Sequence, residues 1–145
     1  MQATCLDSNS TRMSEDNTGE LFENWTVQMR KGVLDLCILK ALAGGECYGY
    51  ALVKTLVAIP GIGVAEGSIY PLLSRLKKQG LVTTRLEESS EGPARKYYRL
   101  TPAGKALGEE MQGYFQEMAK GVGGLPDFTV PSSSLPKKPA IPRRN

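Results

Sequence analysis

The chain has 145 residues, a net charge of +3, three cysteines and no histidine. That length allows one domain of ordinary size. Without imidazole, neither a Ser-His-Asp nor a Cys-His arrangement is possible, and no His-based metal site can form. Glu87, Glu88 and Glu91 crowd a flexible loop, where no burial would tune a general acid. With no phosphate-binding glycine pattern either, an enzyme is not expected, and neither is a metal or cofactor. Cys5, Cys37 and Cys47 form no Cys-x-x-Cys pair, which points to a reduced, cytoplasmic protein. No run approaches the ~20 apolar residues of a membrane span. The polar, acidic N-terminus lacks the apolar core of a signal peptide. Charge is uneven: up to Trp25, Arg12 alone opposes Asp7, Glu15, Asp16, Glu20 and Glu23. The remainder is therefore more basic than the whole, and a basic body attracts polyanions.

Residues 1–24, rich in Ser, Thr, Asn, Asp and Glu, read as a disordered acidic leader. Trp25 follows, an aromatic suited to anchor the first helix to the body or to a partner subunit. Val27 to Ala43 has helical periodicity, with Val33, Leu34, Cys37, Ile38 and Leu42 on one face and Arg30, Lys31, Asp35 and Lys40 elsewhere. Gly44-Gly45 ends it. A second helix, from about Tyr48 to Ala58, turns Leu52, Val53, Leu56 and Val57 inward and closes at Pro60-Gly-Ile-Gly63.

The third helix starts near Ala65 to Ser68 and stops at Gly80, with Pro71 accommodated in the first turn. Ile69, Leu72, Leu73 and Leu76 line one face. Tyr70, Pro71, Ser74, Arg75 and Lys78 point the other way, so solvent meets an aromatic, a hydroxyl and two cations. A hairpin follows: Val82, Thr84 and Leu86 alternate with more polar neighbours, Lys96 to Leu100 is aromatic-rich, and Glu87 to Arg95 has turn composition. Tyr97 and Tyr98 must face opposite sides of the strand, leaving one available outside.

Thr101 is a good N-cap with Pro102 at N1, opening a fourth helix that runs to about Val122. Its stripe of Leu107, Met111, Tyr114, Phe115, Met118 and Val122 is longer than so small a core can cover, so a second copy is expected against it. From residue 126 to 145 the chain is rich in Pro and Ser, and Lys137, Lys138, Arg143 and Arg144 make it basic; it reads as an extended tail. There is no internal repeat. The expected fold is mainly α with a small β-hairpin wing. It is a winged helix-turn-helix over residues 25–101, followed by a dimerisation helix over 102–125.

The run Glu66-Gly-Ser-Ile-Tyr-Pro-Leu-Leu-Ser-Arg-Leu-Lys-Lys-Gln-Gly-Leu-Val82, then Gly92-Pro-Ala-Arg-Lys-Tyr-Tyr-Arg-Leu-Thr-Pro-Ala-Gly104, resembles the PadR family of bacterial transcriptional regulators. Gly45-Glu-Cys-Tyr-Gly-Tyr50 resembles that family's approach to its second helix. The likeness covers roughly Met29 to Leu125, and its ordered series of motifs is more specific than any one of them. Two positions depart: Ala65 stands where the family often has an N-cap Ser, and Ala94 where a second Pro is common. Neither removes a DNA-facing cation.

The resemblance implies a homodimer on double-stranded DNA with a roughly palindromic operator, most simply a repressor. A charged helix face is often only solvated, but this one is followed by the hairpin. Cations settle first on phosphates, a task for Lys77 and Lys78 at the helix end and for Arg95 and Lys96, read as the wing base. Base readout needs the front of the third helix, where Ser68, Tyr70 and Pro71 stand, with Ser74 and Arg75 a turn on and Tyr97 on the wing. Some members of the family take small aromatic effectors at the dimer interface. Trp25, Leu107, Met111, Tyr114, Phe115 and Met118 are the residues here for dimerisation or such a pocket. The competing expectation is a winged-helix module that binds proteins and not DNA; steep salt dependence of duplex binding separates the two.

Overall fold

A computed structural model describes residues 7–126, with side chains from residue 17 onward. Its elements are α1 (Asp7–Leu42), β1 (Cys47–Tyr48), α2 (Gly49–Val57), α3 (Glu66–Lys78), β2 (Val82–Glu87), β3 (Arg95–Leu100) and α4 (Pro102–Gly123). Cys5 and, apart from Pro126, the expected basic tail lie outside the described residues. The chain divides into two compact units, Met1–Met111 and Gln112–Asn145.

The first unit is built on one apolar cluster. Leu34, Ile38, Leu39 and Leu42 come from α1, Leu52, Val53 and Leu56 from α2, and Ile69, Leu73 and Leu76 from α3; Val64, Val82 and Tyr98 complete it. Burying each such aliphatic side chain stabilises the fold by roughly 1.5–3 kcal/mol. The helical spacing of these positions is what turns all three helices toward one centre. Two expectations about the faces need correcting. Val57 is 41% exposed, whereas Leu36 and Leu39, not picked out by the apolar spacing, are buried. The buried face of α1 is wider than a single stripe.

The leader also differs. Helix α1 begins at Asp7, so Asp7 to Asn24 is its first part and not a disordered segment. No proline falls between Asp7 and Leu42. Once a helix is nucleated downstream, each further residue adds a hydrogen bond for little extra ordering. Polar composition alone misses that.

Helix α3 ends in two reciprocal bonds: the Gly80 N–H donates to the Lys77 carbonyl and the Leu81 N–H to the Leu76 carbonyl, each at 3.0 Å. This Schellman closure needs a left-handed residue, and Gly80 has φ 75°. The chain leaves it directly into a three-stranded antiparallel sheet of order β1-β3-β2. Val82 pairs with Leu100, Glu87 with Arg95, and Cys47 with Tyr98. Strand β1, two residues long, is too short to announce itself by alternation. Tyr98 turns into the core and burial pushes its phenol pKa up. Tyr97 takes the other face.

Thr101 fastens the start of α4. Its N–H donates to the Leu81 carbonyl, its hydroxyl donates to the Gly80 carbonyl at 2.7 Å, and the same oxygen accepts from the Gly104 N–H at 3.0 Å. One residue thus caps α4 and ties it to the end of α3. No helix among the described residues is long and apolar enough to cross a membrane.

Candidate nucleic-acid interface

Because Ile69, Leu73 and Leu76 face the core, α3 must present the rest of its circumference to solvent. Glu66, Gly67, Tyr70, Pro71, Ser74, Lys77 and Lys78 are all exposed, Tyr70 by 43%. The helix has Ala65 at its N-cap with no side-chain cap, as the missing hydroxyl implied. It starts at Glu66, which places Pro71 in the second turn and corrects the first-turn expectation. Pro71 removes the N–H that would have bonded to the Gly67 carbonyl on this exposed side.

Ser68 and Arg75 sit on the flank of α3 that faces α1. Arg75 is not free: its guanidinium holds both carboxylate oxygens of Asp35 on α1, at 2.5 and 2.6 Å. Both contacts are made by one nitrogen, Nη2, in a charge-assisted bond that ties α3 to α1. The pairing was invisible in the sequence, since Asp35 lies 40 residues away.

The wing is shaped by another such pair. Arg85 on β2 donates to Glu46 just before β1 at 2.5–2.9 Å, approaches Glu87 at 3.5 Å, and lies over the Tyr97 ring at 4.5 Å. Arg85 therefore braces the sheet. Arg95 lies over Tyr48 at 5.4 Å and Lys96 over Tyr98 at 5.6 Å, both exposed. Strand register puts Arg95 opposite Glu87 at the loop end of the hairpin, not at the wing base as expected. Arg95 thus stands at the loop end of the hairpin, beside Glu87, Glu88 and Glu91.

The hydrogen bond from Arg85 holds the Glu46 carboxyl below the usual carboxylate range, with the neighbouring Arg85 and Arg99 charges acting in the same sense. A depressed folded pKa gives stability that is present above the unfolded value and is lost as pH falls through the folded one. Parent and Glu46→Gln are therefore expected to melt at different temperatures near neutrality and to converge in acid, as the pH falls below the usual carboxylate range. Thermal melts across that range check it. The difference is small because the pair is exposed.

Among the residues expected at a dimer face, Leu107 and Met111 pack against the core cluster of their own unit. Trp25 is 57% exposed and stacks on Phe22 with ring centroids 6.1 Å apart. In the second unit Tyr114 and Met118 are exposed and Phe115 is partly buried.

Three helices joined through a glycine-rich turn, the third presenting cations and hydroxyls, followed by a hairpin: this is a winged helix-turn-helix, a class built to lay one helix in a major groove. Residues 38–110 match the family model described as the transcriptional regulator PadR-like family, and the chain belongs to that family. Transcriptional regulator Rv3488 of Mycobacterium tuberculosis is 34% identical over 103 residues, covering 71% of this chain and 94% of that protein. The crystal structure of a PadR-like transcriptional regulator from Bacillus cereus is 43% identical with a TM-score of 0.59, over 66% of this chain and 93% of that one. A PadR family regulator from Eggerthella lenta is 32% identical with a TM-score of 0.63, over 77% and 94%. The chain is a transcriptional regulator of this family, and not an enzyme.

Proposed function

We propose that the protein is a cytoplasmic, dimeric repressor that binds a roughly palindromic operator, inserting α3 of each subunit into successive major grooves ~34 Å apart. The observation that carries this reading is the continuous exposure of Tyr70, Ser74, Lys77 and Lys78 along α3, with Arg95 and Lys96 at the outer end of the wing that follows. Lys77, Lys78, Arg95 and Lys96 neutralise phosphates, which fixes register without reading sequence. Tyr70, Pro71 and Ser74 stand nearest the base edges, Ser68 meets the DNA from the flank of α3 that faces α1, and Tyr97 supports the wing. Arg75 serves by clamping α3 to α1, a different part from direct guanine contact. The exposed Tyr114, Met118 and Val122 of α4, and separately Phe22 and Trp25 of α1, are the apolar surfaces offered to a second copy. A small aromatic effector would lodge against the exposed Tyr114 and Met118 of α4.

The test is a gel shift with DNA from the region upstream of the protein's own gene against random duplex. Tyr70→Ala is expected to reduce the preference for the operator roughly tenfold while changing random-duplex affinity little, as loss of one base contact does. Equal loss on both duplexes would remove Tyr70 from base readout, and the absence of any shift would return the fold to protein binding.

A further inference from the structure

Between α1 and α3 lies a groove of about 490 Å³ whose polar lining is Arg30, Lys31, Ser68 and Arg75, with no carboxylate among its walls. One of its cations is paired from outside the walls, since the Asp35 carboxylate holds Arg75. Arg30 is fixed against the helix-turn-helix turn: a Cβ at Gly63 would come 3.4 Å from its Nη2. Its Nε is buried and has no hydrogen-bond partner among the described residues. A buried donor without an acceptor is unfavourable, so a small rotation of the Arg30 guanidinium toward an anion in the groove costs no existing hydrogen bond of that atom. Lys31 is exposed beside it.

These groups share the flank of α3 that borders its exposed face, where a strand bounding the major groove would pass. We propose that the groove is a second DNA-backbone contact: Arg30, Lys31 and Ser68 take a phosphate flanking the bases read by α3. Asp35 limits the strength of that contact by neutralising Arg75. This rests on the DNA-binding reading above and adds two things to it, a contact contributed by α1 and a carboxylate that restrains affinity. Charge complementarity selects the occupant, since the polar walls carry Arg30 and Lys31 besides the paired Arg75, and the backbone of duplex DNA is a regular array of anions.

The experiment compares the full-length parent, Lys31→Gln and Asp35→Ala by salt-titrated anisotropy on operator and random duplexes. Lys31→Gln, which removes one contact from each subunit of the dimer, is expected to weaken both duplexes by the same factor, roughly ten- to thirtyfold, and to lower the salt slope by about 1.8. Asp35→Ala, with Arg75 released, is expected to bind both more tightly with a steeper slope. A duplex carrying neutral methylphosphonates at the flanking positions should erase the difference between parent and Lys31→Gln. A parental slope for Lys31→Gln overturns the proposal, as does a folded Asp35→Ala that binds no more tightly than the parent. Should Asp35→Ala fail to fold, Lys31→Gln decides alone. If the parent binds no duplex, the functional reading itself fails; if it binds through Lys78 and Arg95 while Lys31 is silent, only the groove contact falls.

Discussion

Replacing both Lys78 and Arg95 with Ala removes four phosphate contacts from the dimer and is expected to weaken binding to every duplex by roughly a hundred- to thousandfold at physiological salt, lowering the slope of log affinity against log salt by about 3.6. Lys78 is exposed in the last turn of α3, and Arg95 is the first residue of β3, at the loop end of the hairpin. They lie at the two extremes of the proposed surface. Neither contributes to the apolar core, so the fold survives their removal. Each phosphate contact releases counterions irrespective of the bases beneath it, and operator and random DNA should suffer alike. Anisotropy titrations at several salt concentrations report both quantities. An unchanged slope would mean that this face does not meet the backbone.

The second large effect is on stability. Gly104, in the first turn of α4, lies so close to the Leu81 carbonyl that a Cβ would overlap its oxygen, which is backbone and cannot swing aside. The Gly104 N–H is also held by the Thr101 hydroxyl, so the turn cannot retreat without releasing its cap. Gly104→Ala is expected to destabilise the protein by about 3 kcal/mol, the upper range for overpacking. Gly32 in α1 is the opposite case, exposed and with nothing within 4 Å of a built Cβ. Gly32→Ala should stabilise by up to ~1 kcal/mol through helix propensity. Urea melts compare the two through their midpoints at constant m-value. If both variants shift the midpoint by the same amount, the close approach at Leu81 is not what constrains position 104.

Much of this was legible beforehand because it follows from short-range rules. The stripe of Ile69, Leu73 and Leu76, the glycine stop at Gly80, the Thr101-Pro102 start and the opposed Tyr97 and Tyr98 are each set within a few residues, and each stands where the spacing puts it. What escaped depends on partners distant in sequence. Nothing near Asp35 or Arg75 says that they meet, and that meeting gives Arg75 a partner on α1. Likewise Glu46 gives no sign that it will hold Arg85 and brace the wing. The two-residue strand β1 exists only because β3 is there to pair with it. The leader is a different case: its polar composition resembles disorder, while helix continuation requires that no proline fall between Asp7 and Leu42, and none does.

The apolar stripe of α4 is a mixed case. Leu107 and Met111 are satisfied by their own core, while Tyr114, Met118 and Val122 remain exposed. Periodicity located the stripe, but no single-chain pattern could divide it between those two fates.

The central claim is that α3 and the outer end of the wing form one cationic surface for duplex DNA. It is tested most directly by equilibrium binding of the parent protein to the upstream duplex between about 50 and 200 mM salt. The account predicts a fall in affinity of about a thousandfold across that interval, the response of at least six phosphate contacts in a dimer. A protein that ignores the duplex in dilute buffer, or binds it with an affinity indifferent to salt, would contradict it.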